Sequence, residues 1–183
     1  MDRRQKRSRE AIFAAFSKLL EKKRYENITV QEIIDLADVG RSTFYAHFET
    51  KDQLLSSICA DIFQHVFTQT LPQELEYSSG SKNLELKLGH ILFHLREHKT
   101  VLLGILAGDS ARVFTEPLRA YLDELFKTYV SDFSSSVPES FLINHLSGSF
   151  LETVHWWLES GEEYSPEQAA EFFMELTKRK DTV

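Results

Sequence analysis

Apolar residues in this chain recur three and four positions apart along almost its whole length, and no stretch alternates apolar with polar at comparable strength. A chain with that period buries its apolar surface by packing helices on helices. Ala11, Ile12, Ala15, Phe16, Leu19 and Leu20 predict a first helix from about Arg4 to Lys23. Thr29 with Glu32 reads as a capping box, in which hydroxyl and carboxylate each satisfy an orphan backbone donor. It opens a short second helix whose buried stripe is Val30, Ile33, Ile34 and Ala37, and which stops near Asp38. A third helix is expected from Arg41 to Phe48, with Phe44 and Phe48 one turn apart on its inner face. Thr50 with Gln53 is a second capping box. It opens a long fourth helix through Leu54, Leu55, Ile58, Ile62 and Phe67 to around Pro72.

The stretch "YSSGSKN", Tyr77 to Asn83, reads as a polar linker. Further helices are expected at about 84–98, 99–109, 116–134, 139–160 and 166–179. Pro117 and Pro166 suit first-turn positions, and Ser165 caps the last helix with Gln168 as its reciprocal partner. The expected fold is all-α with about nine helices. A three-helix head over residues 1–50 precedes a larger helical body over 51–183.

Cys59 is the single cysteine, which excludes a disulfide framework and a cysteine-based zinc site. The longest apolar run, Val101 to Gly108, is too short to span a bilayer, and no signal-type apolar segment follows the basic start MDRRQKRSRE. No membrane association and a cytoplasmic location are expected. The net charge is −7, but it is unevenly spread. Residues 1–58 carry 11 Lys and Arg against 9 Asp and Glu, leaving 10 against 19 for the rest. An acidic body argues against wrapping long nucleic acid, because phosphate contacts need cations.

The stretch "DVGRSTFYAHFETKDQLL" carries the functional signal. Two short helices joined by a tight turn, the second rich in polar groups, make a helix-turn-helix. The second helix of such a unit enters the major groove with its N-terminal residues toward the base edges. Arg41 and Ser42 lie at that end, Arg41 and Tyr45 share a face, and Thr43 and His47 share the neighbouring one. These side chains donate to phosphates and base edges, unlike the usual Glu/Lys solvent face. Thr29 and Lys51 open the flanking helices, where a backbone N–H cluster and a side-chain donor could hold a phosphate. The competing reading is a plain helical hairpin whose polar face is simply wet.

"TVQEIIDLADVGRSTFYAHFETKDQLL" closely resembles the DNA-binding signature of the TetR/AcrR family of bacterial transcriptional regulators. The Thr-Val helix start, the Ile-x-x-x-Ala core, Val39 after the turn, the string Thr43 to Phe48 and the Lys-x-x-Leu of the fourth helix carry the match, over about 50 of the 183 residues. The resemblance implies a homodimer whose heads bind double-stranded operator DNA and whose bodies dimerise and hold an unidentified small-molecule effector. It makes Thr29, Arg41, Ser42, Thr43, Tyr45, His47 and Lys51 candidate contacts to DNA. Two positions depart from the family pattern. Asp38 stands where the family commonly has glycine, and Gly40 where it commonly has serine, which removes a hydroxyl.

The body is rich in aromatics. Phe63, Phe67, Phe93, Phe114, Tyr121 and Phe150, with His90 and His94, are candidates for an effector pocket, against the plainer reading of an ordinary core. Gly104 and Gly108, within an apolar helix, are expected to leave space there. Small residues amid bulky ones in "FLINHLSGSFLETVHWWL" permit close helix approach, and the resemblance implies that the last two helices pair with their copies across a twofold axis. Phe141, His145, Gly148, Ser149, Glu152, Phe172, Phe173 and Leu176 are the interface candidates; the competing reading is a last helix that only covers the monomer core.

The expected function is a ligand-responsive transcriptional repressor. A coactivator working through a protein partner is the alternative, and "WWLESGEEYSPEQ" resembles a branch of the family that includes coactivators of dihydroxyacetone kinase operons. An alternative of another class is a helical metal-dependent enzyme using His90, His94 and His98, spaced i, i+4, i+8. Glu85 and Glu97 lie off that face, so no metal, cofactor or catalytic set is assigned. Ser-His-Asp, Gly-rich phosphate-loop and HExxH patterns are absent.

Overall fold

The computed structural model describes residues 3–68, 81–133, 136–161 and 163–177. Among these, nine α-helices run α1 (Arg3–Leu20), α2 (Val30–Ala37), α3 (Arg41–His47), α4 (Lys51–Thr68), α5 (Ser81–Arg96), α6 (Lys99–Leu106), α7 (Ala111–Tyr129), α8 (Glu139–Glu159) and α9 (Pro166–Thr177). Single 3-10 turns occupy Tyr25–Asn27 and Val130–Asp132, which periodicity did not announce. No described helix is long and apolar enough to cross a membrane.

The expected all-α fold is borne out. Thr29 accepts from the Glu32 N–H at 3.2 Å while the Glu32 carboxylate accepts from the Thr29 N–H at 2.9 Å, completing the box. Ser165 and Gln168 do the same at α9, with Pro166 as its first residue. At α4 the reciprocity shifts by one residue: Thr50 accepts from the Gln53 N–H, but the Gln53 amide oxygen takes the N–H of Glu49.

Several helix boundaries differ from expectation: α1 stops at Leu20, α6 at Leu106 and α7 at Tyr129, each short of its expected end. α5 begins at Ser81, so Ser81, Lys82 and Asn83 are helical rather than linker; residues 77–80 and the region around Pro72 lie outside the described residues. α7 begins at Ala111, which makes Pro117 its seventh residue instead of a first-turn residue. Proline removes one helical N–H, and here it sits on the exposed side, where water can serve the freed carbonyl. The added turn buries Phe114, whose ring stacks on Phe63 at 5.0 Å. α5 ends at Arg96, so His98 leaves the stripe and precedes α6 instead.

The described residues pack as two units. One lies within Met1–Phe63 and His98–Phe114, the other within Gln64–Glu97 and Thr115–Val183. The first is therefore larger than the 1–50 head drawn around the motif. Its core joins Ile12, Phe16 and Leu20 of α1 to Ile33, Phe44, Leu54 and Leu55. Each such side chain contributes about 1.5–3 kcal/mol of transfer free energy. α6 packs on α1, and a Cβ at Gly104 would run into the Leu20 carbonyl, 3.0 Å from its carbon. A Cβ at Gly108 would meet the Glu26 carboxylate, which accepts the Ser110 N–H at 3.4 Å. Gly104 permits close approach of α6 to α1, Gly108 lies past the end of α6, and neither opens a cavity.

In the second unit α5 and α8 pack on α9. Gly89 lies against α9, with Ala170 Cβ 3.8 Å from where its own would be. Phe173 packs against Phe126 and Phe150, with ring centroids at 5.9 and 5.1 Å.

Candidate nucleic-acid interface

α3 is seven residues long and cannot hold itself in isolation; its neighbours hold it. Phe44 is fully buried, Phe48 closes the helix, and the Phe48 ring stacks on Phe13 of α1 at 5.7 Å. The turn before it rests on Asp38, which has φ 51° and so takes the left-handed conformation that Asp and Asn accept better than most residues. Its N–H reaches the carbonyls of Asp35 and Ile34. Gly40 caps α3 with extended backbone and no side-chain bond. A Cβ there would lie 3.8 Å from the Ser42 and Thr43 hydroxyls, so a serine fits.

With the aromatic face anchored, the polar face is left outward. Arg41 and Ser42 are exposed, and Tyr45 is 49% exposed with its ring edge on Phe44. Thr43 and His47 are half-buried. Arg41 is oriented from α2: its Nη2 donates to Gln31 Oε1 at 2.7 Å, and Gln31 Nε2 donates to Asp35 at 2.7 Å. Gln31 is a positioning residue that reading α3 alone missed.

The flanking candidates have prior engagements. The Thr29 side chain serves the capping box. Lys51 donates to the carbonyls of Tyr25 and Ile28 at 2.9 and 2.7 Å and lies 4.1 Å from the Tyr25 ring centre. Desolvation holds its ammonium below the usual lysine range. Lys51 thus fastens α4 to the turn that precedes α2. Tyr25 in turn donates to Asp52; burial first, and then that carboxylate, push its phenol upward.

A groove of about 560 Å³ runs beside α3, lined by Arg4, Gln5, Ser8 and Arg9 of α1 and by Ser42, Thr43, Ala46 and His47. No α1 residue was assigned from the sequence. The signal was there in five basic residues among the first nine, spaced so that several share a helical face.

The effector-pocket candidates divide between the units. Phe63 and Phe114 stack in the first. In the second, His94 is buried with its ring edge-on to His90 at 4.4 Å, Phe150 is buried in the core, and Phe93 is 41% exposed. Tyr121 is half-buried, and desolvation raises its phenol. The Phe67 side chain lies outside the described residues. No group of three or more His, Cys, Asp and Glu placed to hold a metal occurs among the described residues, and the three-histidine site loses its geometry where α5 ends.

Of the interface candidates, Phe173 is mostly buried against Phe126 and Phe150 and also lines the groove between α8 and α9. Gly148 is half-buried, with the Arg119 guanidinium 3.8 Å from where a Cβ would stand. Phe141 (59%) and Leu176 (89%) are exposed, as are His145, Glu152 and Phe172. His145, Ser149, Glu152, Trp156, Phe172 and Leu176 line an apolar groove of about 610 Å³ between α8 and α9. Trp156, 45% exposed, was not among the candidates.

Residues 8–58 match the family described as bacterial regulatory proteins, tetR family, and residues 82–179 match one described as transcriptional regulator C-terminal region. An uncharacterized HTH-type transcriptional regulator, YxbF of Bacillus subtilis (strain 168), is 36% identical over 93 residues. That match covers 48% of this chain and 24% of that protein, so the chain spans about a quarter of this relative's length. A TetR transcriptional regulator from Streptococcus agalactiae 2603V, solved by crystallography, is 32% identical with a TM-score of 0.78, covering 97% of both chains. The transcriptional regulator FadR from Bacillus subtilis, solved in complex with stearoyl-CoA, shares the fold at a TM-score of 0.69 and 17% identity, covering 92% of this chain and 96% of that one.

Proposed function

This chain belongs to the tetR family of bacterial transcriptional regulators, and from that premise we propose that it is a homodimeric, ligand-responsive repressor of transcription. In this reading residues 1–50 bind operator DNA and 51–183 dimerise and bind a small-molecule effector. The observation that carries it is the outward polar face of α3, with Arg41 held by Gln31 and with Phe44 and Phe48 anchoring the opposite side. Arg41, Ser42 and Tyr45 address base edges or backbone, and Thr43 and His47 address phosphates. Thr29 and Lys51 contribute through the backbone they organise, alongside any direct phosphate contact.

The apolar groove between α8 and α9 supports dimerisation, since an exposed apolar patch of this kind is a common mark of an interface. Two heads would then meet successive major grooves about 34–36 Å apart. FadR, a fold relative holding an acyl-CoA, supports a small-molecule effector in the body. Effector binding would shift the population of dimers whose heads match that spacing.

Fluorescence anisotropy with the DNA upstream of the chain's own gene tests the reading. Binding should exceed that to random duplex and weaken with salt. Tyr45→Ala should lower specific affinity by about 1–3 kcal/mol while sparing non-specific binding. Equal affinity for both duplexes would remove regulation of its own gene, and loss of all duplex binding would remove the DNA-binding reading.

A further inference from the structure

We propose that the groove between α1 and α3 is a phosphate seat that makes α1 a second DNA-contacting element. This rests on the reading above that the head binds DNA. One wall carries Arg4, Ser8 and Arg9, and the other carries Ser42, Thr43 and His47 of α3. Among the described residues no carboxylate lines it, although the chain as a whole is acidic. A lining of guanidinium, hydroxyl and imidazole groups without an acid suits an anion with several acceptor oxygens.

Arg9 is held in place for this role. Its guanidinium lies 4.4 Å from the Phe13 ring centre, and Phe13 stacks on Phe48 at the end of α3. The stack couples the α1 cation to the position of α3. Ser8 donates to the Arg4 carbonyl at 3.1 Å and keeps its oxygen lone pairs and the Arg4 side chain outside that bond. Lys6, by contrast, lies 3.9 Å from Glu10, and Glu10 does not line the groove. The anion is a DNA phosphate in particular because the seat shares Ser42, Thr43 and His47 with the helix that would enter the major groove. A phosphate there would lie on the backbone flanking that groove and would fix the register of α3.

Phosphate contacts are independent of sequence, so the test needs no known operator. Binding of the full chain to a random duplex is measured across a salt series for wild type, Arg4→Gln, Arg9→Gln and Lys6→Gln. Far-UV circular dichroism confirms that each variant is folded. Each groove variant should lower the slope of log affinity against log salt by about 0.9, the value for one phosphate contact. Lys6→Gln, which removes the same charge away from the groove, should lower it by less than half as much. Equal slopes for all three variants and wild type overturn the seat, as does an equal fall for all three, which would be a general charge effect. Wild type that binds no duplex at low salt removes the DNA-binding reading itself, a separate failure.

Discussion

At the residue scale two turn positions set the presentation of α3. Asp38 holds a positive φ that a β-branched side chain resists. Asp38→Val should lower stability by about 1–2 kcal/mol in denaturant titration; an unchanged midpoint would mean that the turn relaxes elsewhere. Glu32 is the residue whose protonation matters most to α2. Hydrogen bonding from Lys23, then from Thr29, holds its carboxyl down at about 2, against an ordinary 4.5. A depressed folded value contributes stability that is complete above pH 4.5 and is lost as pH falls toward about 2. Denaturant midpoints of wild type and Glu32→Gln should therefore differ at pH 6 and converge between pH 4.5 and 2. A constant difference would show that what Glu32 contributes does not depend on its charge. Both capping residues were legible in the sequence because a cap is a local bond between residues three apart. The Arg41–Gln31 bond was not, because it spans ten positions and depends on how α2 meets α3.

At the element scale the close approach of α6 to α1 is decided by a missing side chain. The backbone of Leu20 occupies the place of a Gly104 Cβ, and a backbone carbonyl cannot turn aside as a side chain can. Gly104→Ala should cost about 1–3 kcal/mol of stability, despite alanine's better helix propensity. A gain in thermal midpoint would mean that α6 stands off from α1 in solution. The same contact explains why glycines in an apolar helix were misread as space for a ligand. Composition registers the absent side chain, but only the neighbouring helix shows what fills its place. Pro117 was misplaced for a related reason. Proline is most at ease in a first turn, yet burial of Phe114 extends α7 upstream of it.

At the scale of the whole molecule, α8 and α9 leave Trp156, Phe172 and Leu176 exposed around one apolar groove, and Phe141 is exposed near the start of α8. If this face pairs with its copy, the 21.2-kDa chain should elute at twice that mass in light-scattering chromatography. Leu176→Glu should shift it toward the single chain and weaken DNA binding, because two heads bind far more tightly than one. A wild-type monomer at micromolar concentration, or a variant that still dimerises, would move the interface elsewhere. The sequence pointed to these helices through their apolar stripes, but it passed over Trp156, which lines the groove.

By itself the sequence determined the helical class, the capped starts of α2, α4 and α9, and the helix-turn-helix motif. All of these rest on periodicity, capping and a contiguous motif, which are interactions within a few residues of chain. The tertiary structure decided which polar side chains remain free. It tied Lys51 to two carbonyls, set Arg41 on Gln31, ended the histidine stripe at Arg96 and brought Arg4 and Arg9 beside α3. Those outcomes depend on which helix packs against which, and the cost or gain of each contact exists only once distant segments have met.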